Sequence, residues 1–191
     1  MRYDIEDTIL ICDDEIDPFV AEKFAAYTEK NKSFEDGIVG NTPDSENKYR
    51  VAFINNYKKN IEKSSEEVEF FNHLLSLNLL PILPDHDIIY VTKVHEMRRG
   101  GKMAWHNDGS YSLAISYYLS DCVGGELEVI IGSNNEGDIE KSIRVRPKIN
   151  RIVIMKGDNQ HRVLPVKSGK RRSIQMFVDF YSREETPNAV E

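Results

Sequence analysis

The 191-residue chain carries a formal net charge of −7, with 40% hydrophobic and 30% charged residues. That suits one soluble globular domain and, with no dominant basic face, disfavours nucleic acid or an anionic membrane as partner. No stretch approaches the ~20 apolar residues that span a bilayer, the start "MRYDIEDT" has no apolar signal core, and Cys12 and Cys122 read as reduced thiols too few for a cysteine-built zinc site, so the expected compartment is the cytoplasm.

A first helix is predicted in "DPFVAEKFAAYTEK", with Asp17 as N-cap, Pro18 at the first helical position and Val20, Phe24 and Tyr27 at helical spacing. Phe34 to Arg50 is rich in Gly, Asn, Asp, Ser and Pro and reads as a loop with a short strand at either end. A second helix is expected in "SSEEVEFFNHLLSLNLL", where Ser64 and Glu67 fit a capping box and Val68, Phe71, Leu74 and Leu75 form an apolar stripe. After Pro84 the texture changes to short β-branched and aromatic runs ("IIYVTKVHEM", "LAISYYLS", "ELEVIIG", "SIRVRP", "RIVIMK", "RRSIQMFVDFY"). They are separated by turns at Arg99-Gly100-Gly101, Val123-Gly124-Gly125 and Asn135-Glu136-Gly137. Many short strands at this spacing argue for a sandwich or barrel, covered on one sheet by the helices in an α+β domain.

The stretch "MAWHNDGSYS" places His106 and Asp108 two apart, so an extended backbone turns both toward one point. That is either a salt-linked turn or two-thirds of a facial triad, the two-histidine, one-carboxylate set of non-haem Fe(II) oxygenases. His73 in the second helix, His86 in the loop "PDHD" and His95 on an earlier strand read as structural or solvated. His161, in "KGDNQHRVLPV", sits where a loop returns into a strand, the kind of place where site residues collect. Ten residues later, "GKRRSIQMFVDF" alternates. Arg172, Ile174, Met176, Val178 and Phe180 share a face suited to packing on helices, which turns Arg171, Ser173 and Gln175 inward. A buried guanidinium needs an anion, either a protein carboxylate or the far carboxylate of a small dianion. In "LAISYYLS", Ala114, Ser116 and Tyr118 share the other inward face, and two small residues beside one phenol leave room for a ligand. Trp105 alternates away from the histidine and reads as packing.

H-x-D, the later H-x-V-x-P-V, R-x-S after a glycine turn and "YYLSD…GGELEV" together resemble the Fe(II)/2-oxoglutarate dioxygenases of the prolyl 4-hydroxylase-like group, over Ile88 to Tyr181, about half the chain. The resemblance implies a double-stranded β-helix, or jelly roll, with the N-terminal helices on the outer face of one sheet. It implies one domain over 1–191, with 1–84 as mostly helical support and loop and 85–182 as the catalytic core. It implies Fe(II) on His106, Asp108 and His161, with 2-oxoglutarate and O2 as co-substrates and ascorbate as an accessory reductant. The distal carboxylate would rest on Arg171 and Tyr118, with Ser173 in the same co-substrate site. The reaction would couple oxidative decarboxylation to succinate and CO2 with hydroxylation. A carboxylate at position 108 favours hydroxylation over halogenation, since related halogenases leave that place to chloride. Met97 stands where the group often has a tyrosine, nine residues before the first iron histidine.

The expected substrate is a prolyl or proline-like residue of a peptide or protein, over which the 34–50 loop would fold. The alternative is a free amino acid or small acidic metabolite, steered by Arg98, Arg99 and Lys102 around a turn at the site mouth. A non-catalytic cupin-like binding protein or a zinc hydrolase would have no use for Arg171. The oligomeric state is open.

Overall fold

The computed structural model describes residues 9–31, 35–36, 38–39, 42–43, 49–55, 66, 69–70, 73–74, 77, 86–109, 111–131 and 141–182. Helix α1 (Pro18–Asn31) begins as its sequence dictates. The Asp17 carboxylate accepts from the backbone N–H of Phe19 at 2.9 Å and of Val20 at 3.3 Å, while Pro18 gives up a donor that had no partner to lose. The helix buries Ala21, Phe24 and Thr28 and leaves Phe19 exposed. Glu66, Glu69, Phe70, His73 and Leu74 are helical too. Phe70 stacks on Phe24 with centroids 4.2 Å apart and tilts against Tyr117 at 5.0 Å, which ties both helical segments to the sheet beneath. Ser64, Glu67, Val68, Phe71 and Leu75 lie outside the described residues, as does the Asn135-Glu136-Gly137 turn.

Seven strands form the larger sheet. In spatial order they are β1 (Leu10–Asp13), β12 (Arg151–Lys156), β8 (Leu113–Tyr118), β15 (Arg171–Ser182), β6 (His86–Met97), β5 (Tyr49–Asn55) and β2 (Glu35–Asp36). A four-stranded sheet runs β11 (Ser142–Val145), β10 (Leu127–Ile130), β13 (His161–Val163), β7 (Met103–His106). Two small ribbons pair β14 (Val166–Gly169) with β9 (Cys122–Gly124) and β3 (Ile38–Val39) with β4 (Thr42–Pro43). Pairing is antiparallel throughout, and β15 lies along the whole of β6, Arg171 opposite Met97 and Ser182 opposite His86. This is the jelly-roll architecture that the resemblance implied, and it agrees with the sandwich or barrel for which the strand spacing argued.

The period of two then sorts the core into two layers. Ile115, Tyr117, Ile152, Ile154, Ile174, Met176 and Val178 face the helices and pack with Ile16, Phe24 and Phe70. Ala114, Tyr118, Val153, Met155 and Phe177 face the smaller sheet and pack with Leu127, Val129, Val145 and Val163. Two details differ from the sequence reading. His86 opens β6 rather than lying in a loop, and β1 from the N-terminal stretch joins the larger sheet, whereas β2 and β5 are the short strands expected at either end of the Phe34–Arg50 loop. Among the described residues, no helix is long and apolar enough to cross a membrane.

Candidate active site

The two sheets enclose a cavity of about 290 Å³, and His106, Asp108 and His161 converge on it. His106 closes β7 and His161 opens β13, and the two are register partners across that strand pair. Asp108 follows in the loop, held by its backbone N–H donating to Gly157 O at 2.8 Å. A β-carbon at Gly157 would collide with the Tyr111 carbonyl, so only glycine lets this loop close so near. The ligand-capable atoms of the three side chains all lie within 4.8 Å of one another, with His161 Nε2 3.6 Å from Asp108 Oδ2.

Both imidazoles are oriented the same way. Nδ1 of His106 lies 2.8 Å from Ala104 O, and Nδ1 of His161 lies 2.8 Å from Asn159 O. A carbonyl can only accept, so each Nδ1 carries the proton and each Nε2 presents its lone pair to the cavity, the tautomer a metal needs. Burial pushes the Asp108 carboxyl up to about 6, although the His106 and Lys93 charges pull the other way. Burial, with the charge of His106 adding to it, pushes His161 down to about 4. Two neutral imidazole nitrogens and a desolvated carboxylate facing one point make a donor set that a divalent cation of Fe(II) type satisfies.

Arg171 is the largest fully buried side chain. Nε donates to Gly125 O at 3.0 Å, Nη1 to Ser173 Oγ at 3.1 Å and Nη2 to the Tyr118 hydroxyl at 3.2 Å. Gly125 (φ +67°) is needed there, because a β-carbon would stand 3.0 Å from the arginine's own Cδ. All three acceptors are neutral. The guanidinium itself lines the cavity, with Tyr118 and Ser173 as its hydrogen-bond partners. Ser173 Oγ also accepts from Gln175 Nε2 at 2.9 Å, and Gln175 Oε1 accepts from Ser116 Oγ at 2.6 Å, so a polar ladder runs along the inner faces of β15 and β8.

The other sequence candidates fall elsewhere. His95 is buried on the cavity wall, and its burial among Lys93, Arg171 and His106 holds it well below the usual histidine range. His73 Nε2 lies 3.4 Å from the Asp17 backbone N–H, at the start of α1. Met97 is fully buried between the sheets. Trp105 is 41% exposed, and its ring carries the Arg162 guanidinium at 4.5 Å. The turn with Arg98, Arg99 and Lys102 follows the Met97 end of β6, beside Arg171, and is pinned to Val166 by two backbone bonds. None of the three lines the cavity, and Asp108's loop enters β8 at the opposite end, where Leu113 faces Val178. The cation that lines the cavity besides Arg171 is Lys93, which the sequence reading passed over. Its signal was Lys93 and His95 two apart on one face of a strand otherwise apolar at Val91 and Val94.

Residues 92–179 match the family model described as the 2OG-Fe(II) oxygenase superfamily. These residues belong to that superfamily. The matched span, 88 of the 191 residues, marks an Fe(II)/2-oxoglutarate-dependent dioxygenase, with Fe(II) as its metal and 2-oxoglutarate and O2 as co-substrates. No curated protein matches the chain. Its fold is similar to a Pseudomonas putida prolyl-4-hydroxylase (TM-score 0.67, 14% identity, covering 93% of this chain and 94% of that one). It is also similar to a Trichoplax adhaerens prolyl hydroxylase solved with a hypoxia inducible factor peptide fragment (0.67, 18%, 97% and 88%). A third likeness is HygX from Streptomyces hygroscopicus, solved with nickel and 2-oxoglutarate (0.68, 10%, 94% and 87%).

Proposed function

We propose that His106, Asp108 and His161 hold the Fe(II), that Arg171 anchors the distal carboxylate of 2-oxoglutarate, and that the enzyme hydroxylates an unactivated C–H bond of a prolyl or proline-like residue in a peptide or protein. In this reading 1–191 is one domain, 1–84 supporting a catalytic core over 85–182. The observation that carries the co-substrate assignment is the set of partners around Arg171: a buried guanidinium held by three neutral oxygens. A charge so placed is costly without an anion, and a carboxylate meets the guanidinium fork in bidentate fashion. Tyr118 accepts from Nη2 and keeps its own proton to donate to the same carboxylate. Ser173 fixes Nη1 and acts through Arg171.

When bound, Fe(II) with 2-oxoglutarate and O2 supplies the oxidising power for C–H hydroxylation, releasing succinate and CO2. The protein's share is to hold both imidazoles by their Nδ1–H, to fix Asp108 through Gly157, and to keep water out with the apolar walls of Leu127, Val163 and Phe177. The prolyl assignment is supported by the likeness to two prolyl hydroxylases. The test is incubation with Fe(II), 2-oxoglutarate and a panel of proline-containing peptides. Succinate release above the peptide-free rate, with a peptide gaining one oxygen by mass spectrometry, is expected. Peptides that neither gain oxygen nor stimulate succinate, while a free amino acid does both, would overturn the prolyl assignment and leave the oxygenase. That second reading, a free amino acid or small acid, is favoured by the one observation of a cation inside the cavity, Lys93.

A further inference from the structure

Lys93 and Arg171 both face the cavity, from the two strands of one pair and four register positions apart. On β6 the inward positions are Lys93, His95 and Met97. Met97 lies opposite Arg171 and Lys93 opposite Gln175, so the two cations are separated by four residues of strand, about 13 Å along its axis. Arg171 marks the end where β6 turns back. Lys93, level with Ser116 of β8, lies from there toward the end where Asp108's loop enters that strand. Its ammonium stands 5.2 Å from the centroid of the Phe177 ring, and Phe177 stacks on Tyr111 at 5.1 Å, beside that loop. Lys93 is half-buried, and its charge reaches Asp108, whose carboxyl it pulls down.

Resting on the proposed function, we infer that Lys93 is the residue that selects the substrate, and that it does so by gripping a carboxylate next to the carbon to be hydroxylated. With the co-substrate at Arg171, the wall left for the substrate toward Asp108's loop carries Lys93 and Phe177, with Tyr111 stacked on the Phe177 ring. In a cavity of about 290 Å³, shared with 2-oxoglutarate, a substrate group the size of one side chain is all that fits beside them. Phe177 and Tyr111 give that group an apolar face, and Lys93 gives it one charged contact in a partly desolvated place, where such contacts discriminate strongly. The carboxylate has two possible sources: the α-carboxylate of a free proline-like amino acid, or an acidic side chain beside a prolyl residue in a peptide.

The test uses the full chain loaded with Ni(II), a redox-inert stand-in, and 2-oxoglutarate, titrated calorimetrically with two matched pairs. L-proline is compared with L-prolinamide, and N-acetyl-Ala-Pro-Asp-amide with its Asn counterpart. At least one acid should bind about tenfold or more tighter than its neutral partner. The first pair reports a free amino acid and the second an acidic peptide. Lys93→Met keeps the aliphatic stem against Phe177 and should erase the preference, and Lys93→Arg should keep it. Acids that bind no better than amides, including no binding by either, overturn the inference. So does a preference that survives Lys93→Met. If Lys93→Met weakens 2-oxoglutarate and leaves the acid-to-amide ratio alone, Lys93 serves the co-substrate and the inference fails. If the wild-type chain does not bind 2-oxoglutarate, it is the proposed function that falls.

Discussion

Arg171 and Arg172 are neighbours on β15, both buried, and they are satisfied in opposite ways. Arg172 faces the helices. Nη2 donates to Thr28 Oγ1 at 3.0 Å, Nη1 lies 3.7 Å from the Glu29 carboxylate and Nε 3.8 Å from that of buried Glu96. Arg171 faces the other sheet and donates to a backbone carbonyl and two hydroxyls, and among the described residues no carboxylate pairs with it. One residue of strand separates a guanidinium whose anions are built into the fold from one whose anion has to arrive. The outward layer is therefore expected to carry stability and the inward layer function, and that contrast can be broken from either side.

The largest effect is expected at Asp108. Asp108→Ala removes the only carboxylate of the triad and should reduce hydroxylation to background, with loss of bound Fe(II) by metal analysis. Its effect on the fold runs the other way. A carboxyl held at about 6 when folded, against 3.8 in the unfolded chain, favours the folded state when protonated, so the ionised form weighs against the metal-free fold above that pH. Metal-free Asp108→Ala should then melt no lower than the metal-free parent at pH 7. A clear drop in melting temperature would mean that the site is structural.

The two arginines give the next contrast. Arg171→Lys keeps the charge and loses the fork, so the KM for 2-oxoglutarate should rise by roughly tenfold to a hundredfold, about 1.4 to 2.7 kcal/mol, with iron still bound. Arg172→Leu should leave that KM alone and cost about 2–4 kcal/mol of stability by denaturant titration, because Glu96 is left buried with only Arg98 beside it. If the two substitutions exchange phenotypes, the assignment of faces on β15 is wrong.

The alternation that separates these arginines was legible in "RRSIQMFVDF" because Ile174, Met176 and Val178 mark one face, and a period of two then leaves no choice for the other. His106, Asp108 and His161 were legible for a similar reason: two of them sit two apart on an extended segment, and the third follows a strand. Lys93 was not, because β6 is covered on both faces and its inward side is defined only by pairing with β15, a contact over eighty residues away in sequence. The place of the turn with Arg98 and Lys102 was not legible for the same reason. Composition shows that it is basic, but only the strand register shows at which end of the barrel it lies. The tautomers of His106 and His161 depend on backbone carbonyls two residues back, and a sequence carries no mark of those.

The smallest effect is expected at a third arginine, at the edge of the same sheet. Arg151 on β12 meets Asp13 on β1 as a register partner, Nε to Oδ1 at 2.6 Å and Nη2 to Oδ2 at 2.8 Å, and Lys148 Nζ adds a contact to Oδ2 at 3.2 Å. The arginine hydrogen bonds lead the effects that hold the Asp13 carboxyl down at about 2, against an ordinary 3.8. A carboxyl lowered in the fold stabilises it when ionised, so the contribution is full above about pH 5 and is lost as pH falls from about 4 to 2. The Asp13 side chain is 35% exposed, so water and salt screen much of the attraction and only about 1 kcal/mol is expected at neutral pH. Asp13→Asn should therefore lower the melting temperature at pH 7 by roughly 2–4 °C, a shift that closes as the pH approaches 2. A gap of the same size at both ends would mean that the pair stabilises β1 by shape alone. A gap as large as that of Arg172→Leu would mean that the sheet edge, and not the helix-facing layer, limits the stability of the fold.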